Sequence, residues 1–238
     1  SALELLQVGQ QVMIVDRDTP ERLGGLARWA FGGMALTGTS QQKKMKIPDS
    51  AKTLLKDWHS FAEFTEQDFW PKAWAKEYAE HNHEKVYQWL KEIGLGFLPA
   101  VNWVERGLYQ PGNSVPRYHV LWGTGWQLVE TIIALLTPFI KSGALIIFHQ
   151  HKVLATLLEN QQCIGVQVSD ELNDVNFNIS AKSTIIACGG INGSLEKLKE
   201  HWPYQDNKIS SKVLNGANPI SDGKLHEHIN DIGGNITH

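Results

Sequence analysis

Cysteine is scarce. Of 238 residues only Cys163 and Cys188 carry thiols, too few for a disulfide framework or a cysteine-built zinc site. A reduced, intracellular setting is the default for such a chain. An excess of either charge is also lacking. The 22 Lys and Arg residues face 25 Asp and Glu, a net of −3, which leaves no global footprint for nucleic acid or an anionic membrane. Long apolar runs are missing too. Thr131 to Ile140 is the longest, and it contains Pro138; it falls short of the roughly 20 residues a spanning helix needs. No basic, apolar leader precedes the first helix-like residues, so no signal peptide is expected. These absences predict a cytoplasmic protein with no transmembrane segment and no nucleic-acid partner. What remains is a globular composition, 42% hydrophobic and 20% charged, in a chain long enough for one large domain or one domain and part of another.

The pattern begins with Ala2, Leu3, Leu5, Leu6 and Val8, an apolar face at helical spacing broken by Gly9. Gln11-Val-Met-Ile-Val15 then reads as a short strand buried on both faces and closed by Asp16. Helix, tight turn, strand and terminal acid make the second half of a dinucleotide-binding βαβ unit, in which the acid accepts from a ribose hydroxyl. The first glycine of such a fingerprint lies about 20 residues before the acid, which puts it ahead of Ser1. A truncated start is therefore expected, with the first strand and phosphate turn outside the chain, and weak or no dinucleotide binding by the chain alone. An α/β domain of another kind also places acids at strand ends, so this pattern alone fixes no function.

Glycines follow the acid: Arg22-Leu-Gly-Gly-Leu-Ala-Arg28, Phe31-Gly-Gly-Met34 and Thr37-Gly-Thr39. Paired glycines allow close backbone approach to a planar or charged ligand, and backbone N–H groups there can donate to it. A glycine-rich surface loop has the same composition. Further on come Asn113-Ser-Val-Pro-Arg-Tyr-His-Val-Leu-Trp-Gly-Thr-Gly125, Ala187-Cys-Gly-Gly190 and Ser221-Asp-Gly223, the last opening a helical pattern through Leu225, Ile229 and Ile232 to Gly233-Gly234. In this order the segments resemble the flavoprotein family that includes fumarate reductase subunits and 3-ketosteroid Δ1-dehydrogenases. Two positions depart from that pattern: Cys188 stands for a usual Thr, and Ser221 for a usual Gly.

The resemblance implies an α/β fold, a Rossmann-like parallel sheet that binds FAD, with a β-meander and a helical insertion, incomplete at both ends. It implies cofactor contacts at Asp16, Arg17, Gly24, Gly25, Gly32, Gly33, Val153, Ala187, Gly189, Gly190, Asp222 and Gly223. Asp16 would hold the adenosine ribose, and Val153 would meet the adenine side through its backbone. The implied activity is that of a FAD-dependent dehydrogenase or reductase on a CH–CH bond, with a hydrophobic ketone or a dicarboxylate as substrate. The rival is a non-catalytic nucleotide-binding or scaffold module on the same fold, for which the changes at Cys188 and Ser221 leave room. Flavin carries the hydride and the protein must place an acid or base. Arg117, Tyr118 and His119 are the candidates, Arg for a carboxylate or carbonyl oxygen and Tyr or His for a proton. The alternative role of Arg117 and His119 is to brace the Gly123-Thr-Gly125 turn.

Three segments organise the chain: residues 1–45 as the first part of the FAD-binding domain, 46–125 as a helical excursion, and 126–238 as the remainder with the meander. A substrate or cap domain is expected beyond 238. Asp49 or Ser50 caps a helix through about Ser60. Phe69 to Ile93 reads as one or two helices whose large aromatics, Trp70, Trp74, Tyr78, Tyr87 and Trp89, are core. A further helix runs from about Trp126 to Lys141. Strands follow at Ala144–Phe148, Val153–Leu158, Ile164–Val168, Val175–Ile179 and Thr184–Ala187. Three His-x-His pairs stand out, His81/His83, His149/His151 and His226/His228. On one strand His149 and His151 would share a face, but no third ligand has a recognisable spacing, and no metal is assigned.

Overall fold

The computed structural model describes residues 1–103, 111–202, 209–210, 212–234 and 236. The chain divides into two compact units, Ser1–Leu26 with Leu136–His238, and Ala27–Leu135.

In the first unit, helix α1 (Ala2–Gln7) buries Leu3 and Leu6, and Gly9 at φ +80° reverses the chain. Strand β1 (Val12–Asp16) follows. Its partner is β4 (Leu145–His149), parallel and in register from Val12↔Leu145 to Asp16↔His149. The run at 144–148 is thus not part of the meander but the neighbour of β1. The meander is an antiparallel sheet of β5 (His151–Glu159), β6 (Gln162–Asp170) and β7 (Val175–Ser180) in that order. Asn160 and Gln161, at φ +49° and +64°, make the two-residue turn between β5 and β6, a turn whose twist suits a hairpin. Val166, Val168 and Ile179 form its core, with Val15, Phe148, Val153 and Phe177 packed against them. The same apolar cluster therefore joins the parallel pair to the meander. Helices α8 (Leu195–Glu200) and α9 (Lys224–Asp231) complete the unit.

Three expectations for this unit change. Met13 is 42% exposed, so β1 is not covered on both faces. His149 and His151 lie on different strands, divided by Gln150 at φ +58°. Residues 184–187 form no strand, and Ile185 and Ile186 are exposed. A parallel strand needs a neighbouring ladder, and no described strand pairs with this run.

In the second unit, β2 (Gly33–Ala35) pairs antiparallel with β3 (Tyr118–Val120). Helix α2 (Gly25–Trp29) leads toward this ribbon. Thr39 and Gln42 close a capping box at α3 (Ser40–Lys44), and the Ser50 hydroxyl caps α4 (Ala51–Ala62) by accepting from the Thr53 N–H. Phe69 to Glu92 is one helical run: α5 (Phe69–His81), a π-helical stretch Asn82–Gln88, and α6 (Trp89–Glu92). Helix α7 (Thr124–Ser142) contains Pro138. Leu90, Leu95 and Leu121 are the core, with Met34, Trp89, Phe97 and Leu128 against them. The aromatics divide. Tyr87 is buried, while Trp70 and Trp74 are 67% and 70% exposed, because α5 turns its small residues Ala75 and Ala79 inward instead. Among the described residues no helix is long and apolar enough to cross a membrane.

Candidate cofactor site

The carboxyl ends of parallel strands are where open α/β sheets hold ligands, and here Asp16 and His149 occupy them side by side. Asp16 Oδ1 accepts the backbone N–H of Asp18 at 2.8 Å. Burial pushes the Asp16 carboxyl above its ordinary range, and the Asp18 charge adds to this, against the pull of the Asp18 N–H and of His149.

Arg17 turns to its own chain. Its guanidinium forks onto Glu171 (Nε–Oε2 2.9 Å, Nη2–Oε1 2.9 Å), and Nη1 reaches Asp222 Oδ2 at 3.0 Å and the Ile220 carbonyl at 3.2 Å. Lys152 Nζ donates to the same Asp222 oxygen at 2.8 Å, and Asp222 Oδ1 accepts the Lys224 N–H at 3.1 Å. Asp222 thus begins α9 and gathers two cations. Its carboxyl is pushed up by burial but, on balance, held below its ordinary value by Lys152, the Lys224 N–H and the Arg17 charge. The sequence pattern named Arg17 and Asp222 but missed Lys152 and Glu171. Lys152 directly precedes Val153 and was legible only as its neighbour.

Val153 spends its side chain in the core, leaving the backbone for any ligand. The register slips by one residue between Val153 and Ala155, a bulge of the kind that re-aims a strand. Gly24 and Gly25 take φ +102° and +51°, and Gly189 takes +76°. A Cβ added at Gly190 would meet nothing within 4 Å, and one at Gly25 only the Asn218 amide at 3.8 Å. Ala187 lies on the extended run before them, and Gly223, at φ +76°, stands at the N-cap of α9. Cys188 Sγ lies 3.8 Å from His226 Nδ1, and burial pushes the thiol up, away from thiolate.

In the second unit a cleft of about 240 Å³ is lined by Ala27, Phe31, Gly32, Gly33, Tyr118 and Leu128, among others. Its glycines serve close packing. A Cβ on Gly33 would sit 1.7 Å from the Tyr118 hydroxyl, and one on Gly125 would sit 1.9 Å from the Ala27 carbonyl. Arg28 pairs with Glu130 at 2.8 Å and lies 4.4 Å above the Trp126 ring, fixing α2 against α7.

The pleat separates the three candidate catalytic residues, since neighbours on a strand face opposite ways. Tyr118 lines the cleft. Arg117 and His119 point into buried polar networks. Arg117 has no exposed surface. Nε and Nη2 fork onto Asp49 at 3.1 and 2.9 Å, and Nη1 donates to Asp57 Oδ2 at 2.7 Å and Asn113 Oδ1 at 2.6 Å. His119 Nδ1 contacts the Arg117 carbonyl at 2.8 Å and Nε2 contacts Thr39 Oγ1 at 2.7 Å. A carbonyl only accepts, so Nδ1 carries the proton and the Thr39 hydroxyl donates to Nε2. Burial lowers the affinity of this ring for a second proton. Both residues brace the chain, but against Asp49, Asp57 and Thr39 rather than the Gly123–Gly125 turn. Among the described residues no three His, Cys, Asp or Glu side chains are grouped to hold a metal.

A family model for an FAD binding domain matches residues 1–214. A KsdD-like steroid dehydrogenase of Mycobacterium tuberculosis is 33% identical over 244 residues, covering 94% of this chain and 42% of the relative. Its counterpart from Mycolicibacterium smegmatis is 32% identical over 243 residues, covering 94% and 44%. The chain therefore spans less than half of either relative. In fold it is similar to an open flavocytochrome c3 fumarate reductase, with a TM-score of 0.65 at 19% identity over 97% of this chain and 42% of that one. It is also similar to a chain of the Mycobacterium smegmatis Sdh1 complex, with a TM-score of 0.63 at 18% identity over 81% and 32%. With two-stranded parallel pairing, a meander and an acid at the strand end already in place, the match across residues 1–214 settles the kinship: the chain belongs to the FAD binding domain family.

Proposed function

We propose that the chain is the cofactor-binding part of a flavin-dependent dehydrogenase or reductase that acts on a CH–CH bond of a small hydrophobic ketone or dicarboxylate. The observation that carries this is the family match over residues 1–214 combined with Asp16 at the carboxyl end of β1. The steroid dehydrogenase relatives favour an enzyme over a non-catalytic module, and a ketone over a dicarboxylate.

The residues present suit FAD by their donor set. Asp16 keeps one carboxylate oxygen free of hydrogen bonds within the described chain, and Gly25 and Gly190 leave open space where a Cβ would stand. When bound, FAD supplies the hydride chemistry. In the first unit Asp16 would hold the adenosine ribose, with Gly24, Gly25, the Val153 backbone and the Ala187–Gly190 run around the nucleotide. Asp222 and Gly223 would act beside them, with Arg17 as the tether that fixes Asp222. In the second unit Gly32, Gly33 and Tyr118 would line the ring end. Of the three catalytic candidates only Tyr118 lines the cleft, so it is assigned the proton movement. Arg117 and His119 keep that strand in place. Residues 1–45 and 126–238 would do the nucleotide binding and 46–125 the excursion, in a cytoplasmic protein.

The test is a flavin titration of the full-length protein. Bound FAD is expected to give a yellow protein that bleaches with reductant, and Asp16→Ala is expected to weaken FAD binding. Full-length protein that stays colourless after reconstitution overturns the assignment. Turnover that survives Tyr118→Phe overturns the role of the phenol.

A further inference from the structure

His149 was singled out in the sequence only as half of a His-x-His pair, and nothing in the site above uses it. It closes β4 directly opposite Asp16. Its Nδ1 is buried and makes no hydrogen bond to any described residue. A buried ring nitrogen in that condition is uncommon, because burial strips its water and offers nothing in exchange. The neighbourhood shows why no protein group serves it. Asp16 Oδ1 is taken by the Asp18 N–H. The Gln150 N–H goes to the Asp18 carbonyl at 3.1 Å. Asp18 Oδ2 and Arg22 Nε face each other at 3.5 Å, too poorly aligned to hydrogen-bond.

We propose that His149 is a ribose-binding residue: its Nδ1 and the free oxygen of Asp16 grip the two adjacent hydroxyls of an adenosine moiety. A vicinal diol matches this pair. A carboxylate can only accept, while a neutral imidazole nitrogen accepts or donates according to tautomer, so each hydroxyl finds a partner whichever way it is oriented. The site lies at the strand ends where the parallel pair would receive a nucleotide. This rests on the nucleotide-binding reading above but reaches further, since it assigns recognition of the sugar to a second side chain.

The experiment uses ADP and 2′,3′-dideoxy-ADP as probes with the full chain, read by calorimetry and by the His149 ring resonance at millimolar nucleotide. The wild type is expected to bind ADP at least tenfold more tightly than the dideoxy analogue, about the worth of one or two neutral hydrogen bonds. His149→Phe, which keeps the ring and its burial, is expected to lose most of that preference, and His149→Asn to restore part of it. The ring resonance should shift with ADP and stay still with the analogue; that reading stands even if the Phe variant fails to fold. Equal binding of the two nucleotides, no binding of either, or an unchanged preference in His149→Phe overturns the proposal. ADP binding by the chain with the expected preference, together with full-length protein that stays colourless after reconstitution with FAD, would instead defeat the flavin reading and leave the ribose clamp standing.

Discussion

His119 and Thr39 meet at 2.7 Å, imidazole Nε2 to hydroxyl, in a place almost closed to solvent. The other ring nitrogen already donates to the Arg117 carbonyl, so a second proton would fall on Nε2 and force the Thr39 hydroxyl to stop donating to the ring. Burial lowers the folded pKa of this ring below its unfolded value. The unfolded chain therefore takes up the proton first, and stability is complete above the unfolded value of about 6.5 and falls as pH drops below it. The melting temperature is expected to fall between pH 7 and pH 5, and His119→Gln to flatten that slope. An equal slope in the variant would assign the pH dependence to other groups.

Arg117 with Asp49 and Asp57 is a buried ion cluster, with side chains 0%, 0% and 8% exposed. Removing the cation leaves two carboxylates in the interior, and breaking such a pair costs about 3–5 kcal/mol. Arg117→Met is expected to destabilise by that amount in denaturant titration. Arg117→Lys keeps the charge but loses the fork that serves Asp49 through two bonds, and should fall in between. A loss below about 1 kcal/mol for Arg117→Met, the scale of a surface pair, would mean that water reaches the cluster.

Glycines that pack can be told apart from glycines that leave space. Gly125→Ala would push a methyl against the Ala27 carbonyl, which is backbone and cannot swing away; a cost of about 1–3 kcal/mol is expected. Gly190→Ala meets nothing within 4 Å and should change stability by less than about 0.5 kcal/mol. If Gly190 borders the nucleotide, that neutral substitution will still weaken FAD binding, which parallel melting and titration experiments would reveal.

Strand β5 lies at one edge of its sheet, and α9 guards it. His228 Nε2 accepts the Thr156 N–H at 3.0 Å and contacts its hydroxyl at 3.0 Å. In His228→Ala the amide loses its partner, at a cost of about 1 kcal/mol. Amide hydrogen exchange at Thr156 should speed up while that at Val166 and Val168, in the sheet core, stays slow. Unchanged exchange at Thr156 would show that the helix leaves that edge open.

Much of the local structure around the candidate site was legible because it depends on local pattern. An apolar run closed by Asp16 declares a strand end, and glycine pairs declare close approach. The cap at Ser50, one of the two residues offered for it, was legible for the same reason. What escaped depends on distant partners. Nothing near Arg117 reveals that Asp49 and Asp57 enclose it, and nothing near Trp70 reveals that alanines take the inward face of α5. The β2–β3 ribbon was missed because its strands are three residues long, too short for any alternation to declare itself. The strand expected at 184–187 fits its composition, yet composition cannot supply the neighbour that turns an extended run into a ladder.

The pairing of Val12 with Leu145 has a consequence for biosynthesis. At ribosomal rates of about 5–20 residues per second, β1 leaves the exit tunnel on the order of ten seconds before β4 exists. In that interval Ala27–Leu135, a contiguous stretch, can collapse on itself, while β1 waits for β4. Strand β1 is thus made well before the partner that completes this ladder, and slowing translation should lengthen the window in which chaperones find it.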